Sequence, residues 1–387
     1  MDFNYSEEQE AVRQLAGQIF GERSTHERLK QVETAAGDDG PFDRELWKEL
    51  ADAGLLGIHL GEDVGGAGLD FVAACLVVEA AGRTAAYVPV VETMVYGALP
   101  LDRFGTDAQR KTWLSGVASG ETILTAAMAE LVGEVVLPGG TEPATTATAE
   151  ADGSWVLSGT KACVPAALVA DAILVPATCR TVDGTTTGPG VFIVERNAEG
   201  VTLTRQTTTT GRPEAIVELD GVRVGVDRLV GEGAAGAAVI DCITEFATTA
   251  LCIEEAGVCA TALELTAEYT KTRVQFEKPI ATFQAVGQRA ADAYVDTEAI
   301  RLTAWQAAAR LAVGLPASSE VAIAKYWAAE GGQRVVHAAS HLHGGVGVDR
   351  DYPLHRFFLL TEQIELTLGG ANESLRRLGR ILADEPV

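Results

Sequence analysis

The sequence predicts an α+β multidomain chain: an N-terminal helical domain over residues 1–120, a middle β domain over 121–230, and a C-terminal four-helix bundle over 231–387. Three observations carry this. Apolar residues recur at helical spacing near the N-terminus. Threonine, valine and glycine then rise together in short runs bounded by Gly, Asp and Pro. Helical periodicity returns after about residue 231 and persists to the end of the sequence. With 387 residues, the chain is long enough for two or three structural units around a large buried core.

Taken in order, "YSEEQEAVRQLAGQIF" (residues 5–20) opens with a capping box, Ser6 with Gln9 three residues on. Val12, Leu15, Ala16, Ile19 and Phe20 then share one helical face. "DRELWKELADAGLLGI" (43–58) repeats the pattern with Leu46, Leu50 and Ala53, and Gly54 is the expected helix stop. "GEDVGGAGLD" (61–70) reads as a turn between helices. The runs "SWVLSG" (154–159), "AILVPAT" (172–178), "GVFIVE" (190–195), "VTLTRQ" (201–206) and "AIVELDGVRV" (215–224) read as short strands of a sandwich or barrel. Helical segments over 236–272, 284–313, 317–342 and 355–382 suffice for a four-helix bundle.

Composition excludes several classes of function. Hydrophobic residues make up 47% and charged residues 22%, an ordinary globular balance. A net charge of −24 disfavours nucleic acid and anionic membrane surfaces as partners. An anionic cofactor could still bind through local arginines, backbone N–H groups and helix N-termini. Apolar runs such as "AAYVPVV" (85–91) are too short to cross a bilayer. "MDFNYSEEQE" has neither the basic nor the apolar region of a signal peptide. Cys75, Cys163, Cys179, Cys242, Cys252 and Cys259 are scattered without a C-x-x-C pair, so the expected setting is a reducing cytoplasm with no disulfide framework.

Most chemical motifs are missing. His337 and His341 stand four apart on an expected helix, a spacing that can serve one metal ion. No H-E-x-x-H accompanies them, so packing roles are preferred and no metal is expected. There is no G-x-S-x-G elbow, no Walker A loop and no G-x-G-x-x-G expected after a strand. Two segments stand out instead: "RVQFEKPIATFQAVGQRAADAY" (273–294) and, about seventy residues on, "HLHGGVGVDRDYPLHRFF" (341–358).

Together, R-V-Q-F-E-K-P-I-A-T-F-Q and H-L-H-G-G-V-G resemble the acyl-CoA dehydrogenase family, and the resemblance spans the chain, including the α, β, α order and the "GGAGL" loop at 65–69. It implies an N-terminal helical domain, a middle β-barrel and a C-terminal four-helix bundle. It also implies FAD, which takes a hydride from the β-carbon of an acyl-CoA while a glutamate removes the α-proton. By that resemblance Arg273, Phe276, Phe283, Gln284, His341, Gly344 and Gly345 match positions that hold the adenosine and pyrophosphate half of FAD seated in a partner subunit. A guanidinium fork suits phosphate oxygens, and His341 stands where the family usually has glutamine.

The remaining family positions are altered. The family's T-E-P-x-A-G-S-D strand corresponds to "AMAELVGEVV" (127–136). Its W-I-T-N strand becomes Cys163, Val164, Pro165 and Ala166, and proline offers neither hydroxyl nor N–H. The usual base position is Gly369, followed two residues later by Ala371. The alternative base position is Ala247, with Thr248 beside it. Glu245 is the fallback carboxylate, although two residues on a helix turn it by about 200°; Glu365 reads as an ordinary side chain. No catalytic residue is therefore expected in this chain.

The pattern is similar to the degenerate subunits of actinobacterial heterotetrameric dehydrogenases acting on steroid side-chain CoA thioesters. It implies FAD shared with a homologous catalytic partner in an α2β2 complex, one FAD per heterodimer, and a cytoplasmic setting. Two alternatives stand beside it: a self-sufficient homotetrameric flavoenzyme using Glu245, and a purely structural module.

Overall fold

The computed structural model describes residues 5–131, 143–231 and 235–384. Helix α1 (Glu7–Arg23) begins at the expected capping box. Ser6 Oγ accepts the Gln9 N–H at 3.1 Å, and Gln9 Oε1 accepts the Ser6 N–H at 3.1 Å. Val12, Ala16, Ile19 and Phe20 are buried, but Leu15 is 40% exposed, because it falls at the rim of that stripe on the side away from Phe20. Helix α2 (His26–Ala35) follows. Helix α3 (Arg44–Asp52) is capped by Asp43 Oδ1 on the Leu46 N–H at 3.2 Å. It stops at Gly54, whose φ of 72° lets Leu55 N–H bond back to Leu50 O at 2.9 Å. Helices α4 (Phe71–Thr84), α5 (Leu99–Phe104) and α6 (Asp107–Ser119) complete the first helical stretch.

The strands are β1 (Leu124–Ala126), β2 (Ala129–Glu130), β3 (Thr146–Ala149), β4 (Trp155–Pro165), β5 (Ala172–Arg180), β6 (Thr186–Glu195), β7 (Val201–Gln206), β8 (Glu214–Val224) and β9 (Leu229–Val230). Each of the five runs read as a strand lies on one of these. The sheet runs β7-β8-β4-β3-β5-β6-β9, with β1 parallel on β5 and β2 antiparallel on β4. One face packs around Leu157, Val164, Ile173, Phe192 and Val217. Contrary to the expectation from sequence, "GEGAAG" (231–236) carries the G-x-G-x-x-G spacing directly after β9. The preceding β9 pairs antiparallel with β6, so the parallel βαβ context of a dinucleotide fingerprint is not met.

Two compact units emerge. One comprises residues 30–74 and 87–247, and holds the sheet; the other comprises 1–29, 75–86 and 248–387. In the second, most of α4 packs against the long helix α7 (Gly236–Thr272) at a pair of glycines. A Cβ at Gly82 would collide with Glu254 O, and one at Gly257 would collide with Glu79 O. Only glycine lets the two backbones come this close. Arg83 pairs with Glu264 at 2.7 Å beside them.

By length and composition α7 could cross a membrane, contrary to the expectation from short apolar runs; yet 78% of its most apolar 18-residue window is buried, as in a core helix. Helix α8 (Gln284–Ala312) follows, then α9 (Ser318–Tyr326) and α10 (Gly332–His343), which are joined through a π-helical turn at Trp327–Gly331. α10 packs on α8 and on α11 (Leu354–Leu366), and α9 packs on α8 and α12 (Ala371–Asp384). The expected single segment 355–382 is thus two helices. The break lies at Leu368 (φ 58°) and Gly369 (φ 99°), left-handed residues that no helix continues through.

A buried polar cluster joins these helices. Glu255 of α7 is fully buried; its Oε1 accepts Thr361 Oγ1 at 2.8 Å and Cys259 Sγ at 3.0 Å. Gly332 leaves the room, since a Cβ there would collide with Glu255 Oε1. Burial pushes the Glu255 carboxyl up to about 8, against the hydrogen bonds from Cys259 and Thr361 and the nearby Lys325 charge. Two donors on one oxygen suit a protonated acid whose carbonyl is Oε1. With the folded value raised above the ordinary 4.5, the stabilising contribution is whole below pH 4.5 and is lost as pH rises through about 8. Resistance of the bundle to urea is therefore expected to fall between about pH 5 and pH 8.5. Glu255→Gln should flatten that slope; an unchanged slope in the variant would assign it to other groups.

Candidate functional site

Between α7 and α8 the chain makes a small hairpin, β10 (Val274–Gln275) against β11 (Lys278–Pro279), and residues 271–278 are all exposed. The two loop residues, Phe276 (φ 52°) and Glu277 (φ 65°), both lie in the left-handed region. A two-residue hairpin needs that sign, but Asn-Gly usually supplies it. Here L side chains bear it, at about 1–2 kcal/mol each. The result is an 87% exposed Phe276 ring, edge-on to Phe283 at 6.1 Å, with the Lys278 ammonium 4.5 Å from the Phe283 ring. Gln284 starts α8, in a stretch that is largely exposed over 284–295.

Arg273 lies at the base of this arm, its N–H bonded to Tyr269 O at 2.8 Å and its carbonyl accepting the Ile280 N–H at 2.9 Å. Among the described residues its guanidinium makes no ion pair. It lines a hollow of about 530 Å³, open to solvent, together with Tyr269, His341, Gly344, Gly345 and Asp349. The structure therefore gathers Arg273, His341, Gly344 and Gly345 around one hollow, whereas Phe276, Phe283 and Gln284 stand outside its lining. Gly344 has φ 61° and ψ −137°, a backbone state closed to L side chains. A Cβ at Gly345 would meet nothing within 4 Å, so the peptide there is bare to an approaching ligand. Tyr269, Ile280 and Asp349 were not singled out from the sequence; the available signal for Tyr269 was its place one helical turn before Arg273.

In the sheet-bearing unit, β2 and β4 are held by a buried ion pair. Glu130 Oε1 accepts Lys161 Nζ at 2.7 Å, Thr145 Oγ1 at 2.7 Å and the Thr145 N–H at 2.9 Å, while Oε2 accepts the Ala144 N–H at 2.6 Å. Burial brings the Lys161 ammonium down to about 8, partly opposed by the Glu130 charge. Further along, β4 bulges between Lys161 and Val164, and Cys163 (φ 49°) and Ala166 (φ 55°) take left-handed conformations. The Cys163 N–H donates to Gln206 Oε1 at 2.6 Å, and Thr125 Oγ1 donates to the Pro165 carbonyl at 2.7 Å. The second half of "AMAELVGEVV", from residue 132, lies outside the described residues.

At the two positions where a base was expected, Gly369 is buried within the turn between α11 and α12, and Ala247 is fully buried. A Cβ at Gly369 would come within 3.2 Å of Glu373 Oε2, which accepts the Gly370 N–H at 2.7 Å as a helix cap. Glu245 is half-buried on α7, and burial raises the Glu365 carboxyl. His337 packs edge-on against Phe358 and lies 3.5 Å from Glu362 Oε1.

Three family models cover most of the chain: the acyl-CoA dehydrogenase N-terminal domain matches residues 6–121, the middle domain 138–220 and the C-terminal domain 235–380. The acyl-CoA dehydrogenase FadE27 of Mycobacterium tuberculosis is 39% identical over 100% of both chains, and FadE28 of the same organism is 32% identical over 86% of this chain and 91% of its own. Among solved structures, a chain of the ChsE4-ChsE5 complex from Mycobacterium tuberculosis superposes with a TM-score of 0.91 at 39% identity, covering 100% of each chain. A chain of a single-substitution variant of the Tcur3481-Tcur3483 steroid acyl-CoA dehydrogenase gives 0.88 at 42% identity, covering 98% of each.

The strained hairpin makes a direct prediction. Replacing Phe276 by Asn together with Glu277 by Gly should relieve the left-handed strain. Amide exchange at Ile280, whose N–H closes the arm, is expected to slow about tenfold in the isolated chain. Equal or faster exchange would show that the turn carries no such strain.

Proposed function

The chain belongs to the acyl-CoA dehydrogenase family, and we propose that within it the chain is a non-catalytic subunit that completes the FAD site of a homologous catalytic partner. FAD, when bound, supplies hydride acceptance from the β-carbon of an acyl-CoA. This chain's own contribution is confined to holding the adenosine and pyrophosphate half. The Arg273 guanidinium would pair with phosphate oxygens, His341 would face them, and the bare Gly344-Gly345 backbone would let the ligand approach. Phe276 and Phe283, on the arm, would pack against the partner-borne cofactor.

One contrast carries this reading. Arg273, His341, Gly344 and Gly345 share one hollow, while the chain's own flavin-cradle stretch does not fit a flavin ring. There the Cys163 N–H is already taken by Gln206, Pro165 has no N–H, and Val164 and Ala166 have no polar side-chain atom. No carboxylate stands at Gly369 or Ala247 to remove an α-proton. Similarity to chains of the ChsE4-ChsE5 complex and of a steroid acyl-CoA dehydrogenase supports a homologous partner and, as substrate, a steroid side-chain CoA thioester. In this reading the complex is an α2β2 heterotetramer with one FAD per heterodimer, and works in the cytoplasm.

Two outcomes test it. The purified chain alone is expected to carry no flavin, and the complex with its partner to carry one FAD per heterodimer by absorbance and mass; one FAD per subunit in the isolated chain would refute the proposal. In the complex, Arg273→Ala should speed FAD release about tenfold or more, the loss of a charge-assisted hydrogen bond.

A second prediction concerns the lost base. Gly369→Glu should not create dehydrogenase turnover in the isolated chain, assayed by dye reduction with acyl-CoA. It should also cost about 1–2 kcal/mol of stability, because a side chain is forced onto φ 99° against Glu373. Turnover restored by this substitution would mean that the missing carboxylate alone had silenced the site.

A further inference from the structure

We propose that His343, which no family position assigned above includes, is the positioning residue that locks the two parts of this hollow together, acting through Tyr269 and Tyr352. The inference rests on the hollow's being the flavin clasp. One part of its wall comes from the end of α7, with Tyr269 and Arg273; the other comes from the turn after α10, with Gly344, Gly345 and Asp349. They are far apart in sequence and need a physical link.

His343 supplies it. The side chain is buried at the last residue of α10, and its ring stacks on Tyr269 with centroids 4.4 Å apart and planes 26° apart. This fixes the wall that carries Arg273, one helical turn further on. The same imidazole reaches across the turn: Nδ1 lies 2.8 Å from Ala339 O and Nε2 lies 3.2 Å from the Tyr352 hydroxyl. A carbonyl oxygen only accepts, so Nδ1 carries the proton. Burial lowers the imidazole pKa and favours the neutral ring, which leaves Nε2 bare to accept the Tyr352 O–H.

The His343–Tyr352 bond then closes the turn that presents the glycines. Inside it, Asp349 N–H bonds to Val346 O at 3.2 Å and Tyr352 N–H to Asp349 O at 3.1 Å. Gly347 lies so close to α10 that a Cβ would meet Ser340 O at 2.6 Å. The Tyr352 ring also meets Tyr269 edge-on at 6.3 Å, so three rings form one closed set. Among the described residues only His343 both stacks on α7 and hydrogen-bonds across the turn, and neither phenylalanine nor glutamine could do both.

The test uses the complex of this chain with its catalytic partner, following FAD release by the fluorescence of free flavin, with the KM for acyl-CoA measured alongside. His343→Phe keeps the stack and removes both hydrogen bonds; Tyr352→Phe removes one hydroxyl. Each is expected to speed FAD release about fivefold, the double variant no more than the stronger single, and KM for acyl-CoA to stay within about twofold. Tyr269→Leu, which removes the stack, should also speed FAD release. Unchanged release in His343→Phe and Tyr352→Phe, or effects that simply multiply, would overturn the assignment. Arg273→Ala is the control that separates the two claims. If it alone speeds release, only His343's role fails. If it too has no effect, the clasp reading fails, and this inference with it.

Discussion

Everything in the helical unit depends on a carboxyl group buried where no carboxylate could comfortably be. Glu255 sits at full burial on α7, and its neighbours are arranged around it: Thr361 from α11 and Cys259 from α7 donate to it, and Gly332 of α10 gives way to it. Nearby, buried Lys325 of α9 donates to the carbonyls of Ile364 and Glu365, which end α11. Helices α7, α9 and α11 are thus tied by polar contacts as well as apolar packing, and Gly332 lets α10 close against them. A hydrophobic core tolerates sliding by a fraction of a turn, whereas a hydrogen-bonded acid does not. The end of α11, the turn at Gly369 and the close of α10 inherit their positions from that registry.

In the sheet-bearing unit a rigid frame stands beside an irregular stretch of strand. The Glu130–Lys161 pair, with Thr145 and Ala144 as further donors, holds β2 on β4 with every charge compensated. Just beyond that frame, the Cys163–Ala166 stretch is packed on the chain's own groups. A glutamine side chain and a threonine hydroxyl satisfy the backbone there. The position of β4 is set by its ladder and its buried pair rather than by the residues at the bulge.

Much of the fold was legible because it rests on local rules. The Ser6–Gln9 box, the Gly54 stop and the five strands follow from capping, left-handed glycine and bounded β-runs, each readable within a dozen residues. Each error has a physical origin. Leu15 has the right spacing, but its exposure depends on how wide a stripe the neighbouring elements cover. The break at Leu368 and Gly369 did carry a signal, the Gly369-Gly370 pair, which the helical periodicity on either side outweighed. The burial of α7 likewise depends on partners distant in sequence. In the candidate site, motif residues such as Arg273 and Gly344 were named from the resemblance. His343, Tyr269 and Tyr352 were not, because stacking across 74 residues leaves no trace in spacing.

The arm at residues 273–279 places an exposed ring by backbone geometry rather than by packing. Phe276 stands on a turn held against its own conformational preference, with Glu277 in the same left-handed state beside it. One exposed ring is ordinary on a protein surface, but a ring held there by two strained residues is not free to wander. Its direction is decided by two φ angles, so a change in the turn would re-aim the ring without touching the helices on either side.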